Sequence, residues 1–153
     1  MSDQQLIDLY SGRILELATQ VPCTDPIAEP QITARKRAPL CGSTIAVAFD
    51  IQDGRITRFS QNVKACALGQ AAASVVGQAI VGQDLASVKK ARSELAQMLK
   101  SDGPGPSAPF QDLEVLRPAR DFANRHASIL LCLDAIIEGW EKHQSSQPIQ
   151  GQD

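Results

Sequence analysis

The feature that most constrains the fold is a β-hairpin pattern with a cysteine at each end. Apolar residues alternate with small or polar ones over residues 45–51, which is the period of a strand with one buried face. Asp53-Gly54 is a favoured two-residue turn, and residues 56–63 read as the returning strand. Cys41 precedes the first strand and Cys66 follows the second. A hairpin therefore predicts that the two thiols lie at one end of a sheet.

Helical patterns surround this hairpin. An amphipathic stripe predicts a helix over residues 3–21, and an Ala/Gly/Val-rich segment predicts another over 67–81 whose small side chains allow close packing. A third helix is expected over 84–100, a short helical turn over 111–117 and a last helix over 124–141. The side chains of the last helix that are predicted to face inward are Ile129, Leu130, Leu133, Ile136, Ile137 and Trp140. The fold class predicted is α+β, with helices packed on one face of a small antiparallel sheet.

The remaining segments set the domain boundaries. Pro22, Pro26 and Pro30 forbid regular helix, so residues 22–40 are predicted to be an irregular connector that includes any third strand, near Ile32–Lys36. The Gly/Pro-rich stretch 101–109 is a loop within one domain, because too little chain follows it to build a second core. We therefore predict one domain over 1–143 and a disordered polar tail over 144–153.

Composition excludes several classes of function. A net charge of −2 and an aromatic content of 4% argue against nucleic-acid binding. The sequence has neither an apolar stretch long enough to span a bilayer nor a signal-peptide pattern, so we predict a cytoplasmic protein without a membrane partner. Its four cysteines then stay reduced, and such thiols are buried, metal-binding or catalytic more often than disulfide-bonded.

Cys41 and Cys66 each occupy a position that suits a reactive thiol. Gly42 permits a tight turn that would present Cys41 on a rigid loop. Cys66 lies at the predicted start of the 67–81 helix, where unpaired backbone N–H groups favour a thiolate. Either residue taken alone could instead be a small buried apolar side chain. Together they indicate metal ligands or a sulfur acceptor.

The residues around both cysteines resemble a known family. Ala38-Pro39-Leu40-Cys41-Gly42-Ser43, the segment 63–71 and the separation of 25 residues between the cysteines are similar to the U-type iron–sulfur scaffolds. These are the IscU and SufU proteins and the N-terminal domain of NifU. The resemblance covers residues 3–141 and implies the same α+β fold, usually with a three-stranded sheet.

The chain departs from this family at two site positions. Ser43 stands where the family has aspartate, and we interpret it as a hydrogen-bonding turn residue. The family's third cysteine falls on Ala127 when the sequences are aligned on His126, and on Ser128 when they are aligned on Phe122 and Arg125. Neither alignment provides a cysteine.

Two nearby residues are candidates for the missing third ligand. His126 adjoins the expected position, and imidazole binds zinc or one iron of a [2Fe–2S] cluster. Cys132 shares its helix face with apolar residues and is expected in the core. Cys23 fits no part of the pattern. The predicted metal site is therefore Cys41, Cys66 and His126.

The resemblance implies a role in iron–sulfur cluster assembly. The leading interpretation is a scaffold or carrier, not an enzyme, that accepts sulfur from a cysteine desulfurase and binds iron or an iron–sulfur cluster destined for acceptor apo-proteins. A cluster normally needs four protein ligands, so the count requires a homodimer that shares ligands, a small-molecule fourth ligand or a labile mononuclear site. The alternatives are a zinc-dependent sulfur acceptor (a sulfurtransferase) and a metal-free binding module of the same fold.

Overall fold

The protein combines one antiparallel sheet with helices on one of its faces, as a computed structural model that describes residues 10–146 shows. Its elements in chain order are α1 (Gly12–Thr19), β1 (Ile32–Arg37), β2 (Thr44–Gln52), β3 (Arg55–Lys64), α2 (Ala67–Ala79), α3 (Leu85–Ser101), two consecutive 3₁₀ segments (Gln111–Asp121 and Ala123–Arg125) and α4 (His126–Ser146). The α+β class predicted from the sequence is confirmed.

The sheet has three strands in the order β1-β2-β3, and both pairings are antiparallel. The turn between β2 and β3 is Asp53-Gly54, with φ of 53° and 75° at its two residues, as the predicted tight hairpin requires. The third strand begins at Ile32, two residues after Pro30, and contains no proline that would prevent pairing with β2. The hairpin and this third strand are both confirmed.

Helix α4 packs directly on the helix-facing side of β1 and β2. Phe49 of β2 and Trp140 of α4 are both fully buried, with ring centroids 5.9 Å apart. Gly139 permits this approach, because a Cβ at that position would lie 2.9 Å from the Cβ of Ala34 on β1. The predicted inward stripe of the last helix is buried as expected, with Ile137 half-buried at its margin.

The helix ends differ from the sequence predictions at both ends of the chain. Helix α1 begins at Gly12, where the Ser11 hydroxyl accepts a hydrogen bond from the backbone N–H of Ile14 at 3.4 Å. The earlier part of the predicted helix, residues 3–9, lies outside the described residues. Helix α4 continues to Ser146, past the predicted end and three residues into the segment assigned to the tail. The remaining tail residues, 147–153, also lie outside the described chain.

Candidate functional site

Cys41 lies on a closed loop between β1 and β2. The backbone N–H of Ala38 donates to the carbonyl of Ser43 at 2.8 Å, and the N–H of Gly42 donates to the carbonyl of Ala38 at 3.0 Å. Gly42 adopts a φ of 71°, the left-handed conformation that glycine reaches without strain. These bonds hold the half-buried Cys41 in one place at the end of the sheet.

Cys66 lies at the junction between β3 and α2. It is the N-cap of α2, with extended backbone angles (φ −65°, ψ 169°), and its side chain makes no capping bond. The backbone carbonyl of Cys66 accepts from the N–H of Gln70 at 2.9 Å, and the side chain of Gln70 donates to the carbonyl of Ala65 at 3.0 Å. The thiol is therefore fixed by the helix start and remains available for other contacts.

Two serine hydroxyls connect the two thiols. The Ser43 Oγ lies 3.3 Å from the Cys41 Sγ, and the Ser128 Oγ lies 3.6 Å from the Cys66 Sγ. Ser128 donates a hydrogen bond of 3.0 Å to Ser43, which closes the connection. Both serines are buried, at 3% and 1% exposure, whereas both cysteines are half-buried. We call Cys41, Ser43, Ser128 and Cys66 the Cys–Ser–Ser–Cys group.

Ser128 reaches this group because α2 and α4 approach each other very closely. A Cβ at Gly69 of α2 would lie only 2.4 Å from the Ser128 Oγ, so no larger residue fits there without movement. The small side chains predicted to allow close packing in this helix do so at this point. Of the two positions that the sequence alignments offer for a third cysteine, Ser128 is therefore the one whose side chain contacts Cys66. The alignment on Phe122 and Arg125 gives this position, whereas the alignment on His126 gives Ala127.

The surroundings of Cys41 favour its thiolate form. Burial raises the pKa of the Cys41 thiol, but hydrogen bonds from the side chain and backbone of Ser43 act against it. Ser128 and the positive charge of Arg125 lower it further, and the pKa lies below its usual value. A lowered pKa raises the fraction of thiolate at a given pH, and the thiolate is the nucleophilic form.

The structure does not bring His126 together with the two thiols as a ligand set. Its Nε2 donates to the backbone carbonyls of Ala119 at 3.0 Å and Arg120 at 3.1 Å. Within residues 10–146, no group of three or more His, Cys, Asp or Glu side chains is close enough to hold one metal ion. His126 instead fastens the start of α4 to the preceding 3₁₀ segment.

Cys132 and Cys23 lie apart from the site. Cys132 is 1% exposed, and its thiol donates to the side-chain oxygen of Gln61 at 3.5 Å. Burial raises the pKa of this thiol far above the usual range, and the nearby Cys23 raises it further. Cys23 donates to the carbonyl of Gly77 at 3.6 Å, and burial raises the pKa of this thiol also. The core position predicted for Cys132 is confirmed.

The donor atoms of the group fit a two-thiolate site better than a complete metal site. Serine hydroxyls are poor ligands for zinc or iron beside thiolates. A zinc site takes three or four protein ligands and an iron–sulfur cluster normally takes four. Cys41 and Cys66 supply two. A zinc ion or cluster held by this chain alone therefore does not fit the residues of the group.

None of the helices within residues 10–146 combines the length and the apolar character that a membrane crossing requires.

Comparisons with known proteins find matches to both the sequence and the fold of this chain. The sequence model of the NifU-like N terminal domain matches residues 9–117. A crystal structure of a nitrogen-fixing NifU-like protein (N-terminal) from Brucella abortus is 38% identical, with a TM-score of 0.90 over 94% of this chain and 99% of that one.

More distant structures share the fold. A protein described as an iron–sulfur cluster assembly scaffold for the SUF system, from the thermophilic Fervidobacterium islandicum AW-1, is 14% identical with a TM-score of 0.78, covering 87% of this chain and 97% of that one. Among curated proteins, none matches this chain. The family model and the Brucella protein together show that the chain belongs to the family of NifU-like N-terminal domains, the U-type scaffolds.

Proposed function

We propose that this protein acts in iron–sulfur cluster assembly as a scaffold or carrier that accepts sulfur on Cys41. Membership of the U-type family supports this role in outline. The observation that carries the specific proposal is the Cys–Ser–Ser–Cys group, in which two half-buried thiols flank a pair of buried hydroxyls. Such an arrangement suits a site in which Cys41 accepts sulfur and Cys66 supplies a second thiolate ligand.

Sulfur uptake needs only the Cys41 thiolate and a persulfide donor. The thiolate sulfur attacks the terminal sulfur of the donor persulfide, the S–S bond of the donor breaks, and the donor thiol leaves with the electron pair of that bond. Cys41 then carries the persulfide, and no further oxidant or reductant is consumed. Ser43 and Ser128 lower the pKa of Cys41 and so favour the charged form of the attacking sulfur. The donor that the family role requires is a cysteine desulfurase.

In this proposal iron or an iron–sulfur cluster is the cargo of the site. Cys41 and Cys66 supply two thiolate ligands, and the remaining ligands come from a second copy of the chain or from the acceptor apo-protein. Half of a ligand set gives weak retention, which favours transfer to an acceptor over storage. Within residues 10–146 His126 forms no cluster with the two thiols, so it joins the set only after a rearrangement of the site. A zinc-dependent sulfur acceptor would need that rearrangement in its resting state.

A second candidate function is a metal-free binding module that acts by contact alone. The specific observation in its favour is that the side chain beside each thiol is a serine, Ser43 at Cys41 and Ser128 at Cys66, and not a good metal ligand. This module would have no use for either thiol. The two functions therefore differ in what replacement of the cysteines does.

The test is assembly of a cluster on an apo-ferredoxin from ferrous iron, cysteine and a cysteine desulfurase, followed anaerobically by the absorption of the cluster. We expect the wild-type protein to speed assembly, and Cys41→Ser and Cys66→Ser to remove the acceleration. Cys132→Ser is the matched control, because that thiol is buried away from the site, and it should retain the acceleration. If both site variants assist assembly as well as the wild type, the contact-only module is the better description.

A further inference from the structure

Three positive side chains form an exposed patch on the sheet face that points away from the helices. In the strand register, Arg37 of β1 and Lys64 of β3 flank Thr44, and Arg35 of β1 flanks Ala46 two residues further along β2. Thr44 and Ala46 alternate with the buried residues Ile45 and Val47, so they and their neighbours belong to the opposite face. We call Arg35, Arg37 and Lys64 the basic patch.

The basic patch surrounds a shallow concavity with a floor of small side chains. Its volume is about 310 Å³, and Thr44, Ala46 and Asn62 lie between the three cations. Small residues in the centre leave the charged groups at the margin, where they can converge on an anionic group placed over the floor. The shape suits short acidic side chains from a partner surface.

The charges of the basic patch are not neutralised within the described chain. Ion pairs in residues 10–146 engage cations such as Lys36, Arg58 and Arg117, and none of them involves a member of the basic patch. Because the whole chain has a net charge of −2, its negative charges lie elsewhere. The patch is therefore a local positive field on an otherwise acidic protein.

The basic patch also adjoins the candidate site. Arg37 ends β1 immediately before the loop that holds Cys41, and Lys64 ends β3 two residues before Cys66. Leu40, on the same loop, is 74% exposed and is the most exposed large apolar side chain in the described residues. Arg125 adds positive charge near Cys41 itself. A sulfur donor bound to the patch is therefore close enough to the site to deliver its sulfur to Cys41.

We propose that the basic patch is the docking surface for an acidic segment of the protein that delivers sulfur to Cys41. This inference rests on the proposed function and names the charge of the partner's contact surface. A nucleic acid requires a longer basic track than the three cations of the patch provide. The aromatic content of 4% also leaves few side chains on which bases could stack. Charges at the rim of an interface act mainly on the rate of association and on its dependence on salt.

The test compares two double variants that change the net charge equally. Arg37→Glu with Lys64→Glu reverses the patch, whereas Lys90→Glu with Lys100→Glu reverses two exposed cations of α3 that make no ion pair within residues 10–146. The measured quantity is the initial rate at which Cys41 gains sulfur, at low and at raised salt. One donor is a cysteine desulfurase with cysteine, and the other is free cysteine persulfide.

With the desulfurase at low salt, we expect the patch variant to react about tenfold more slowly than the wild type and the α3 variant to match the wild type. Raised salt should slow the wild type toward the patch variant. With free cysteine persulfide all three proteins should react equally, which shows that the reversed charges leave the reactivity of Cys41 itself unchanged.

Equal rates for the patch and α3 variants with the desulfurase would overturn the docking proposal while sulfur acceptance stands. Retention of RNA or DNA by the wild type and not by the patch variant would overturn it also, since the partner would then be a nucleic acid. If wild-type Cys41 gains sulfur from neither donor, the proposed function fails, and the docking proposal fails with it.

Discussion

Replacement of Gly69 by alanine tests the contact between α2 and α4 that builds the site. The new Cβ would lie 2.4 Å from the Ser128 Oγ, 2.9 Å from the Ala65 Cβ and 3.2 Å from the Ser128 carbonyl oxygen. The hydroxyl can rotate away, but the backbone oxygen cannot, so the two helices must separate, and Ala65, just before α2, must shift as well. Overpacking of this kind costs about 1–3 kcal/mol. Alanine gains up to about 1 kcal/mol over glycine in a helix.

We therefore expect Gly69→Ala to lower the free energy of unfolding by about 1 kcal/mol. Urea denaturation measures this as a lower midpoint at unchanged slope. The matched control is Gly12→Ala at the start of α1, where a Cβ meets no atom within 4 Å, and its free energy of unfolding should stay within about 0.5 kcal/mol of the wild type.

The same variant should also disturb the site. Displacement of Ser128 removes a hydrogen bond that favours the Cys41 thiolate, so the pH midpoint of Cys41 alkylation should rise. A Gly69→Ala protein that is as stable as the wild type and alkylates with an unchanged midpoint would refute this description of the helix contact.

Three further predictions concern the polar groups around the thiols. Ser43→Ala should move the pH midpoint of Cys41 alkylation upward, because the thiolate loses the hydrogen bond from the Ser43 side chain. The lowered pKa of Cys41 stabilises the fold above the usual thiol pKa, and this stabilisation is lost as the pH falls through the lowered pKa. In urea titrations the variant should show a smaller stabilisation of this kind. His126→Ala should lower the free energy of unfolding by about 1 kcal/mol and leave sulfur acceptance unchanged, because its Nε2 bonds carbonyls and not the site; a tenfold loss of bound metal in that variant would instead make His126 a ligand. Ser43→Asp with Ser128→Cys should bind zinc at least about tenfold more tightly than the wild type in a competition titration with a chelator, since both positions adjoin the thiols, and equal affinities would contradict the geometry of the group.

Local patterns in the sequence were sufficient to predict the order of the main helices and strands and the position of the two thiols. Strand alternation and the Asp53-Gly54 turn depend on neighbouring residues, so the hairpin that brings Cys41 and Cys66 to one end of the sheet could be predicted. The placement of Ser128 could not. Adjacent helix positions point about 100° apart, and only the packing of α4 against Gly69 decides which of Ala127 and Ser128 enters the site.

The orientation of His126 was beyond sequence reasoning for a related reason. Its partners are backbone carbonyls of a 3₁₀ segment, and backbone groups leave no signature in the sequence. That segment extends to Asp121, beyond the short turn predicted over 111–117, and the extension carries the carbonyls of Ala119 and Arg120 to the histidine. The hydrogen bonds to these carbonyls engage only the Nε2 of the ring, and the role of His126 as a metal ligand stays a prediction.

The most direct test of the account is a peptide map of where sulfur is added. The wild-type protein is incubated anaerobically with a cysteine desulfurase and cysteine, and its thiols and persulfides are then blocked by alkylation. The protein is digested, and the mass of each cysteine-containing peptide is measured by mass spectrometry. We predict one additional sulfur atom on the Cys41 peptide and none on the peptides of Cys23 and Cys132, whose burial raises the pKa of each thiol. Sulfur on the Cys23 or Cys132 peptide with Cys41 unmodified, or on no cysteine at all, would contradict the account.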